Sequence, residues 1–287
     1  MQLTQILTPL LVSALLATAA PLVQAQTKAD DTLLEMQQAF RKGDRRKLEQ
    51  LLPAARGHVL EPWAAYWELK LRLGEAQPAE VQSFMQRYAG SYQEDRMRND
   101  WLLLLGQRRD WAQFAEQHPS YRMSDDREVR CYALLIDELK GSPQPGAADD
   151  IKRNWYALRD ADDGCTHAAS QFYASKKISA LDVWRKARFA VDANRARVAR
   201  NAVEIVSPES ATQVKDLMDA PTKFLTARAT ARGQVRQELV TLALIKLASG
   251  DPDNAATQLE NKWSVHLSPE ERNWVWGVIG KQLAQKL

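Results

Sequence analysis

The chain has 287 residues, and its 39 lysines and arginines against 36 aspartates and glutamates give a formal net charge of +3. So small a net charge argues against a dedicated nucleic-acid-binding protein, whose surface carries a large basic excess. The 12 prolines and 12 glycines are too few for a disordered or linker-rich chain, so the composition predicts a globular protein long enough to bury a large core.

The first segment predicts a secretory signal peptide. Residues 10–22 are an apolar run rich in leucine and alanine, and Val23-Gln24-Ala25 follows as a small-x-small cleavage site. Residues 1–5 lack the lysine or arginine that usually begins such a peptide. The apolar run is shorter than the ~20 residues of a membrane helix, and no other segment could span a bilayer. We therefore expect residues 1–25 to be removed and residues 26–287 to be periplasmic, without a membrane span.

Glycines close helical-looking runs at a spacing in the thirties. Gly43, Gly74, Gly106 and Gly141 each follow an apolar and basic run, and they are 31, 32 and 35 residues apart. A period of this length with a glycine helix stop is typical of stacked helical hairpins. Such arrays are quasi-one-dimensional, and their curved surface usually binds a ligand or partner.

Helical periodicity continues through the rest of the chain, and no strand-length alternation interrupts it. Pro62 suits the first turn of an aromatic helix in which Trp63 and Trp67 share one face, so we expect these tryptophans in the core. Ser268 and Glu271 form a capping box at the start of the last helix. The sequence thus predicts an all-α protein, a superhelical array of helical hairpins of the ring or horseshoe type.

The last helix has no recognisable end. No glycine cap, proline or polar tail closes it, and Trp274, Trp276 and Leu283 lie on what would be an unfinished apolar edge. The terminal repeat of a solenoid normally has a polar outer face. We therefore expect the α-superhelical domain, residues 26–287, to be incomplete at its C-terminus, and Trp276 to be partly exposed.

The two cysteines are Cys131 and Cys165, 34 residues apart, which is about one repeat length. An even number of cysteines in an exported chain favours one disulfide, which would tie a helix to its neighbour in the array. The alternative is two buried free thiols.

Recognisable catalytic and metal-binding patterns are absent from the sequence. It contains no His-Glu-x-x-His, no Gly-x-Ser-x-Gly and no phosphate-binding loop. Cys165 and His167 are two residues apart but have no further ligands at zinc spacing. Asp160, Asp162 and Asp163 lack the bidentate glutamate that ends a calcium loop, so a solvated turn is favoured. We expect no metal site and no cofactor.

Two basic regions could contact an anionic polymer through charge-assisted hydrogen bonds. The alternative for each is an ordinary solvated helical face, and Gly233 could break the regular spacing of the second region. The candidate residues are Arg185 and Arg188 in the first region and Arg228, Arg232 and Arg236, spaced four apart, in the second.

Several segments follow one another in a characteristic order along the chain. They are Phe40-Arg41-Lys42-Gly43-Asp44, Trp63-Ala64-Ala65-Tyr66-Trp67-Glu68-Leu69, Arg87-Tyr88, Arg98-Asn99-Asp100-Trp101-Leu102, Asp110-Trp111, the pair Cys131 and Cys165, and Trp184-Arg185. This order resembles the N-terminal superhelical domain of soluble lytic murein transglycosylases, over most of the chain from about Asp30 onward.

The resemblance implies a ring of helices that, in this family, precedes a smaller lysozyme-like domain. There a single glutamate acts as acid and then base, and the glycan of peptidoglycan is cleaved to a 1,6-anhydromuramic product. Glu209-Ser210 is the only Glu-Ser pair here, and no Gly-Leu-Met-Gln run follows it. No catalytic residue is therefore carried over, and the resemblance implies only the Cys131–Cys165 disulfide and a basic scaffold.

Two hypotheses follow from the sequence. In the first, the chain is the exported scaffold part of a lytic transglycosylase, binds peptidoglycan glycan strands for a separate or missing catalytic domain, and is inactive alone. In the second, it is a periplasmic tetratricopeptide-like adaptor that binds a protein partner, because the repeat period suits that class equally well.

Overall fold

The computed structural model describes residues 28–285, which form helices joined by turns, with no strand among them. This confirms the all-α fold class. The α-helices in this range are α1 (Lys28–Lys42), α2 (Arg45–Leu51), α3 (Glu61–Arg72), α4 (Pro78–Arg87), α5 (Tyr92–Gln107), α6 (Trp111–Gln117), α7 (Arg127–Leu139), α8 (Ala147–Ala157), α9 (Gly164–Ala174), α10 (Ala180–Asp192), α11 (Ala196–Val206), α12 (Gln213–Asp219), α13 (Pro221–Thr226), α14 (Gln234–Gly250), α15 (Pro252–Gln258) and α16 (Pro269–Ala284).

The predicted signal peptide, residues 1–25, lies outside the described residues, so it stays a prediction. None of the helices between residues 28 and 285 has the length and apolar character needed to cross a bilayer. The described chain divides into two compact units, one ending at Glu80 and the other beginning at Val81.

The first unit is built on α1, α2 and α3, which pack on one another. Its core includes Leu33 and Met36 of α1 together with Leu48 of α2, all almost completely buried. Trp63 and Trp67 are half-buried on α3, and their rings stack with centroids 6.0 Å apart. One turn of helix separates these two residues, so a shared face follows from the helical period.

The second unit is a layered array in which a helix packs both on its neighbour in sequence and on the helix after that. Contacts of this second kind join α5 to α7, α7 to α9 and α9 to α11, and further along they join α12 to α14 and α14 to α16. This is the pattern of stacked helical hairpins, because each hairpin buries its apolar side on the next. The superhelical array predicted from the sequence is therefore confirmed.

The central element of the second unit is α14, which is buried on nearly all sides from Glu238 to Ala248. It contacts α10, α12, α13, α15 and α16. A helix that is apolar all round belongs in the interior of a larger helical assembly. The start of this helix, by contrast, lies at the surface and positions the site described below.

Only some of the glycines in the predicted series end a helix as expected. Gly43 and Gly141 follow α1 and α7 with φ angles of +70° and +73°, the left-handed conformation that suits a helix stop. Gly106 lies inside α5 with ordinary helical backbone, and Gly74 is not left-handed either. The period was thus partly coincidental, and Gly106 is explained by packing instead: a Cβ atom there would meet the ring of Tyr132.

Side chains cap the starts of α6 and α16 by hydrogen bonds. The Asp110 side chain accepts from the Gln113 N–H at 3.2 Å, and the capping box of Ser268 and Glu271 has both of its bonds. Ser207-Pro208-Glu209 instead begins a single 3₁₀ turn, in which Ser207 makes no cap to the backbone. Its hydroxyl donates to the Glu209 carboxylate, which explains the departure from the usual helix start.

Candidate functional site

Three of the predicted basic residues line one surface cavity of about 950 Å³ in the second unit. Arg228 follows α13, Arg232 lies in the connection to α14, and Arg236 is in the first turn of α14. The other residues that line the cavity are Glu209, Ser210, Gln213, Ala229, Thr230, Gly233, Gln234, Val235 and Leu239.

Arg228 is held in place by its neighbours. Its Nη1 donates to the Phe224 carbonyl and its Nη2 donates to Oε1 of Gln213, both at 2.8 Å. Its guanidinium also lies over the Phe224 ring, 3.4 Å from the ring centroid. Burial lowers the pKa of Arg228, with the Asp216 carboxylate opposing the shift. An arginine remains charged even so. Arg228 is therefore a preorganised cation at the wall of the cavity.

Arg232 and Arg236 are exposed, and within the described chain neither takes part in an ion pair. They do not continue one helical stripe with Arg228, because Gly233 between them has a φ of +86° and starts a new helix. The predicted i, i+4 stripe is thus wrong as a local structure. The turn around Gly233 nevertheless brings all three arginines to one concave surface.

The beginning of α14 adds further hydrogen-bond donors to the cavity. Its N-cap is Gly233, no described side chain caps its first turn, and no acidic residue lies in that turn. The N–H groups of the first turn of a helix have no partner within the helix, and the helix dipole makes this end positive. The arginines and the start of α14 therefore give the cavity a strong preference for an anionic group.

Glu209 and Ser210 line the same cavity. The exposed Glu209 carboxylate accepts a hydrogen bond from the Ser207 hydroxyl, and this bond lowers the pKa of Glu209. Glu209 is therefore ionised near neutral pH, whereas a general acid has to carry a proton there. The only Glu-Ser pair of the sequence thus lacks the electrostatic setting of a catalytic acid.

Arg188, predicted to face a glycan, is instead completely buried, so this prediction is wrong. Its Nη2 and Nε donate to the two carboxylate oxygens of Glu238 on α14 at 2.6 and 2.9 Å. Its Nη1 also donates to Glu270 of α16 at 3.0 Å. The guanidinium lies 5.3 Å from the centroid of the Trp274 ring. The Arg188 side chain therefore links α10 to α14 and α16.

Arg185 lies at the edge of the same network and does not line the cavity. Its Nε and Nη2 donate to the two oxygens of Glu270 at 2.9 and 2.8 Å, in a bidentate ion pair at the surface. Glu238 was not predicted as a functional residue, although a charge inside the apolar run of α14 was a signal. Its partner could not be inferred, because Arg188 is 50 residues away in the sequence.

Cys131 on α7 and Cys165 on α9 form a disulfide, with their Sγ atoms 2.00 Å apart and Cα atoms 4.9 Å apart. The start of α9 is also bound to α7 by Glu128, whose carboxylate accepts from the N–H groups of Asp163 and Gly164 at 3.0 and 2.9 Å. The two free thiols of the alternative hypothesis are therefore not found. The covalent bond reinforces a contact that hydrogen bonds already define.

Within the described chain, three carboxyl groups have a raised pKa, and burial is the main cause for each: Glu128, Asp162 and Glu238. Asp162 caps α9 by accepting from the N–H of Cys165 at 2.7 Å. Glu238 reaches a pKa of about 7 but is sealed in the core against Arg188. All three are therefore engaged with other protein groups inside the helical array.

No protein-family model matches the chain, and a search of curated proteins finds no match either. Solved structures do match. The lytic transglycosylase Slt from Pseudomonas aeruginosa is 24% identical with a TM-score of 0.52, covering 91% of this chain. The 70-kDa soluble lytic transglycosylase from Escherichia coli is 17% identical with a TM-score of 0.53, covering 90% of it.

A third match, the complex of the 70-kDa soluble lytic transglycosylase with bulgecin A, is 18% identical with a TM-score of 0.52. In all three comparisons the match covers 42% of the other chain, so this chain spans about two fifths of the proteins it resembles. At these identities the likeness establishes a shared helical fold.

Proposed function

We propose that this chain is a periplasmic, peptidoglycan-binding helical scaffold of the kind that lytic transglycosylases carry. The observation that supports it most is the fold, which matches lytic transglycosylases over about 90% of this chain. The cavity lined by Arg228, Arg232 and Arg236, here called the arginine cavity, adds a surface that can bind an anionic strand. The chain would hold glycan strands while a catalytic domain, on the same or another polypeptide, cleaves them.

The proposal includes the absence of glycan cleavage by this chain. Cleavage by a single glutamate requires a carboxyl group that is protonated near neutral pH and open to the substrate. Glu209 is open but has a lowered pKa, whereas Glu238 has a raised pKa but is buried. This combination supports a binding role.

Two measurements on the purified chain test the proposal. In cosedimentation with insoluble peptidoglycan, the chain should pellet, and the bound fraction should fall as salt rises because exposed charges are screened. In a gel containing peptidoglycan, it should leave no cleared zone. A chain that stays in the supernatant would contradict the binding role and leave the periplasmic adaptor as the hypothesis to test, while a cleared zone would contradict the non-catalytic role.

A further inference from the structure

We propose that the arginine cavity, lined by Arg228, Arg232 and Arg236, binds carboxylate groups of peptidoglycan and not its sugar rings. This inference rests on the proposed function and names the chemical group that the site recognises. The site would therefore require an anionic group, and a neutral glycan of the same length would bind poorly.

Three of the four charged side chains that line the cavity are arginines, and the fourth is the Glu209 carboxylate. Guanidinium groups donate and cannot accept. The first-turn N–H groups of α14 are donors without a side-chain cap. A sugar hydroxyl or acetamide group is recognised by donors and acceptors together, whereas a carboxylate accepts only and fits the arginine fork through two parallel bonds.

None of the three arginines that line the cavity forms an ion pair with a described residue. Arg228 is bound to neutral groups, a carbonyl and the Gln213 amide. Arg232 and Arg236 have no acidic partner among residues 28–285. Arg185, by contrast, is paired with the Glu270 carboxylate. The free positive charge therefore points to a negative ligand.

The backbone at Gly233 is open to a ligand. A Cβ atom built there would meet no heavy atom within 4 Å, and the residue has a φ of +86° that glycine adopts without strain. The backbone at the start of α14 is therefore accessible, and a ligand oxygen can approach it closely. The helix dipole also favours a negative charge at this end of α14.

Peptidoglycan offers carboxylates from two sources. The stem peptides carry side-chain and terminal carboxylates, and strands that have lost their stems expose the lactyl carboxylate of muramic acid. The ionised Glu209 at the same cavity would repel a second carboxylate nearby and accept from an ammonium or hydroxyl group. Both sources share the chemistry that the arginines recognise, so the experiment has to separate them.

The experiment measures the affinity of the full chain for soluble glycan strands labelled at one end. Five ligands are compared: strands with stem peptides, strands stripped by an amidase, each of these two with its carboxylates blocked as methylamides, and neutral chitin oligomers of equal length. We expect blocking to weaken binding at least about tenfold, as expected for loss of charge-assisted hydrogen bonds. Whichever unblocked strand binds more tightly identifies the source.

Variants link the effect to this cavity. Arg232→Gln and Arg236→Gln should each weaken binding of unblocked strands about five- to tenfold and leave binding of blocked strands unchanged. The matched control is Arg159→Gln, because Arg159 is also exposed, has no ion pair in the described chain and does not line the cavity. Circular dichroism and unfolding midpoints should be unchanged for all three variants.

The outcomes separate the two proposals. If the chain binds peptidoglycan but blocked strands or the two cavity variants bind as tightly as their references, the carboxylate inference is overturned and the proposed function stands. If no form of peptidoglycan binds, both are overturned. Binding that depends on charge but falls equally in Arg159→Gln would also overturn the assignment to this cavity.

Discussion

The ring of Tyr132 on α7 occupies the space that a side chain at Gly106 on α5 would need. A Cβ atom built at Gly106 would lie 2.3 Å from Cε2 of that ring, and one at Gly164, the first residue of α9, would lie 3.0 Å from the same atom. One aromatic ring thus fits between two helices that each present a glycine to it. This contact explains Gly106 through packing, whereas at Gly164 the Cγ and carbonyl oxygen of Glu128 lie closer still, at 2.5 and 2.8 Å.

Replacing Gly106 by alanine should therefore destabilise the protein, although alanine is the better helix former. Atoms at 2.3 Å have to separate, and overpacking of this kind costs roughly 1–3 kcal/mol. The measurement is the free energy of unfolding from urea titrations. The matched control is Gly277→Ala on α16, where a Cβ meets nothing within 4 Å; it should stabilise by roughly 0.5–1 kcal/mol. Equal effects of the two substitutions would contradict the packing explanation.

Replacing Arg188 by methionine should be strongly destabilising, because it leaves the buried Glu238 carboxylate without its cation. Removing one partner of a buried ion pair costs about 3–5 kcal/mol. Arg185→Met breaks a half-exposed pair with Glu270 and should cost about 0–1 kcal/mol. Unfolding free energies of the two variants, compared at one pH, test the difference.

The loss in Arg188→Met should also depend on pH. Burial already raises the pKa of Glu238 to about 7, and removing the Arg188 cation raises this pKa further. The folded variant then holds a proton that the unfolded chain releases above its ordinary pKa of 4.5, so its stability falls as pH rises through this range. We expect a smaller loss near about pH 5.5 than near about pH 8. A loss that does not vary with pH would argue against an uncompensated carboxyl group.

Lys186 predicts a second pH effect, with the opposite sign. Its buried Nζ donates to the carbonyls of Trp155 and Leu158 at the end of α8, and burial lowers the pKa of Lys186 to about 8, opposed by the Asp162 carboxylate. From about pH 8 to the ordinary value of 10.5, the unfolded chain binds more protons, so this group adds stability as pH rises. The stability difference between the wild type and Lys186→Met should grow over that range.

The comparison uses urea unfolding at about pH 7.5 and about pH 10. Lys140→Met, a substitution at an exposed position after α7, corrects for the general effect of removing one lysine. The prediction fails if the Lys186 difference shrinks at the higher pH.

Removal of the disulfide should lower stability without changing the fold. The bridge closes a loop of 34 residues between Cys131 and Cys165, and the chain-entropy model gives about 4 kcal/mol for a loop of this length. Because Glu128 independently binds the start of α9 to α7, the variant with both cysteines changed to alanine should keep its helical circular dichroism while its unfolding midpoint falls. An unchanged midpoint after complete reduction would contradict the expected stabilisation.

Local patterns in the sequence were sufficient to predict the helices and many of their ends. The apolar period predicted the all-α array, and the caps at Asp110 and Ser268 are present because a cap depends on residues three positions apart. The two-cysteine count favoured the bridge of α7 to α9. The partial exposure of Trp276, at 39%, also agrees with its offset on the last helix.

Tertiary structure alone decided what each arginine does. The sequence shows Arg188 and Arg232 as similar charges, yet one is buried against Glu238 and the other is exposed at a cavity. The difference depends on which helices pack on α10 and on the turn at Gly233, and those contacts join residues tens of positions apart. Helix formation is a short-range property that a single chain segment determines, whereas charge burial depends on the whole packed array, which no local pattern encodes.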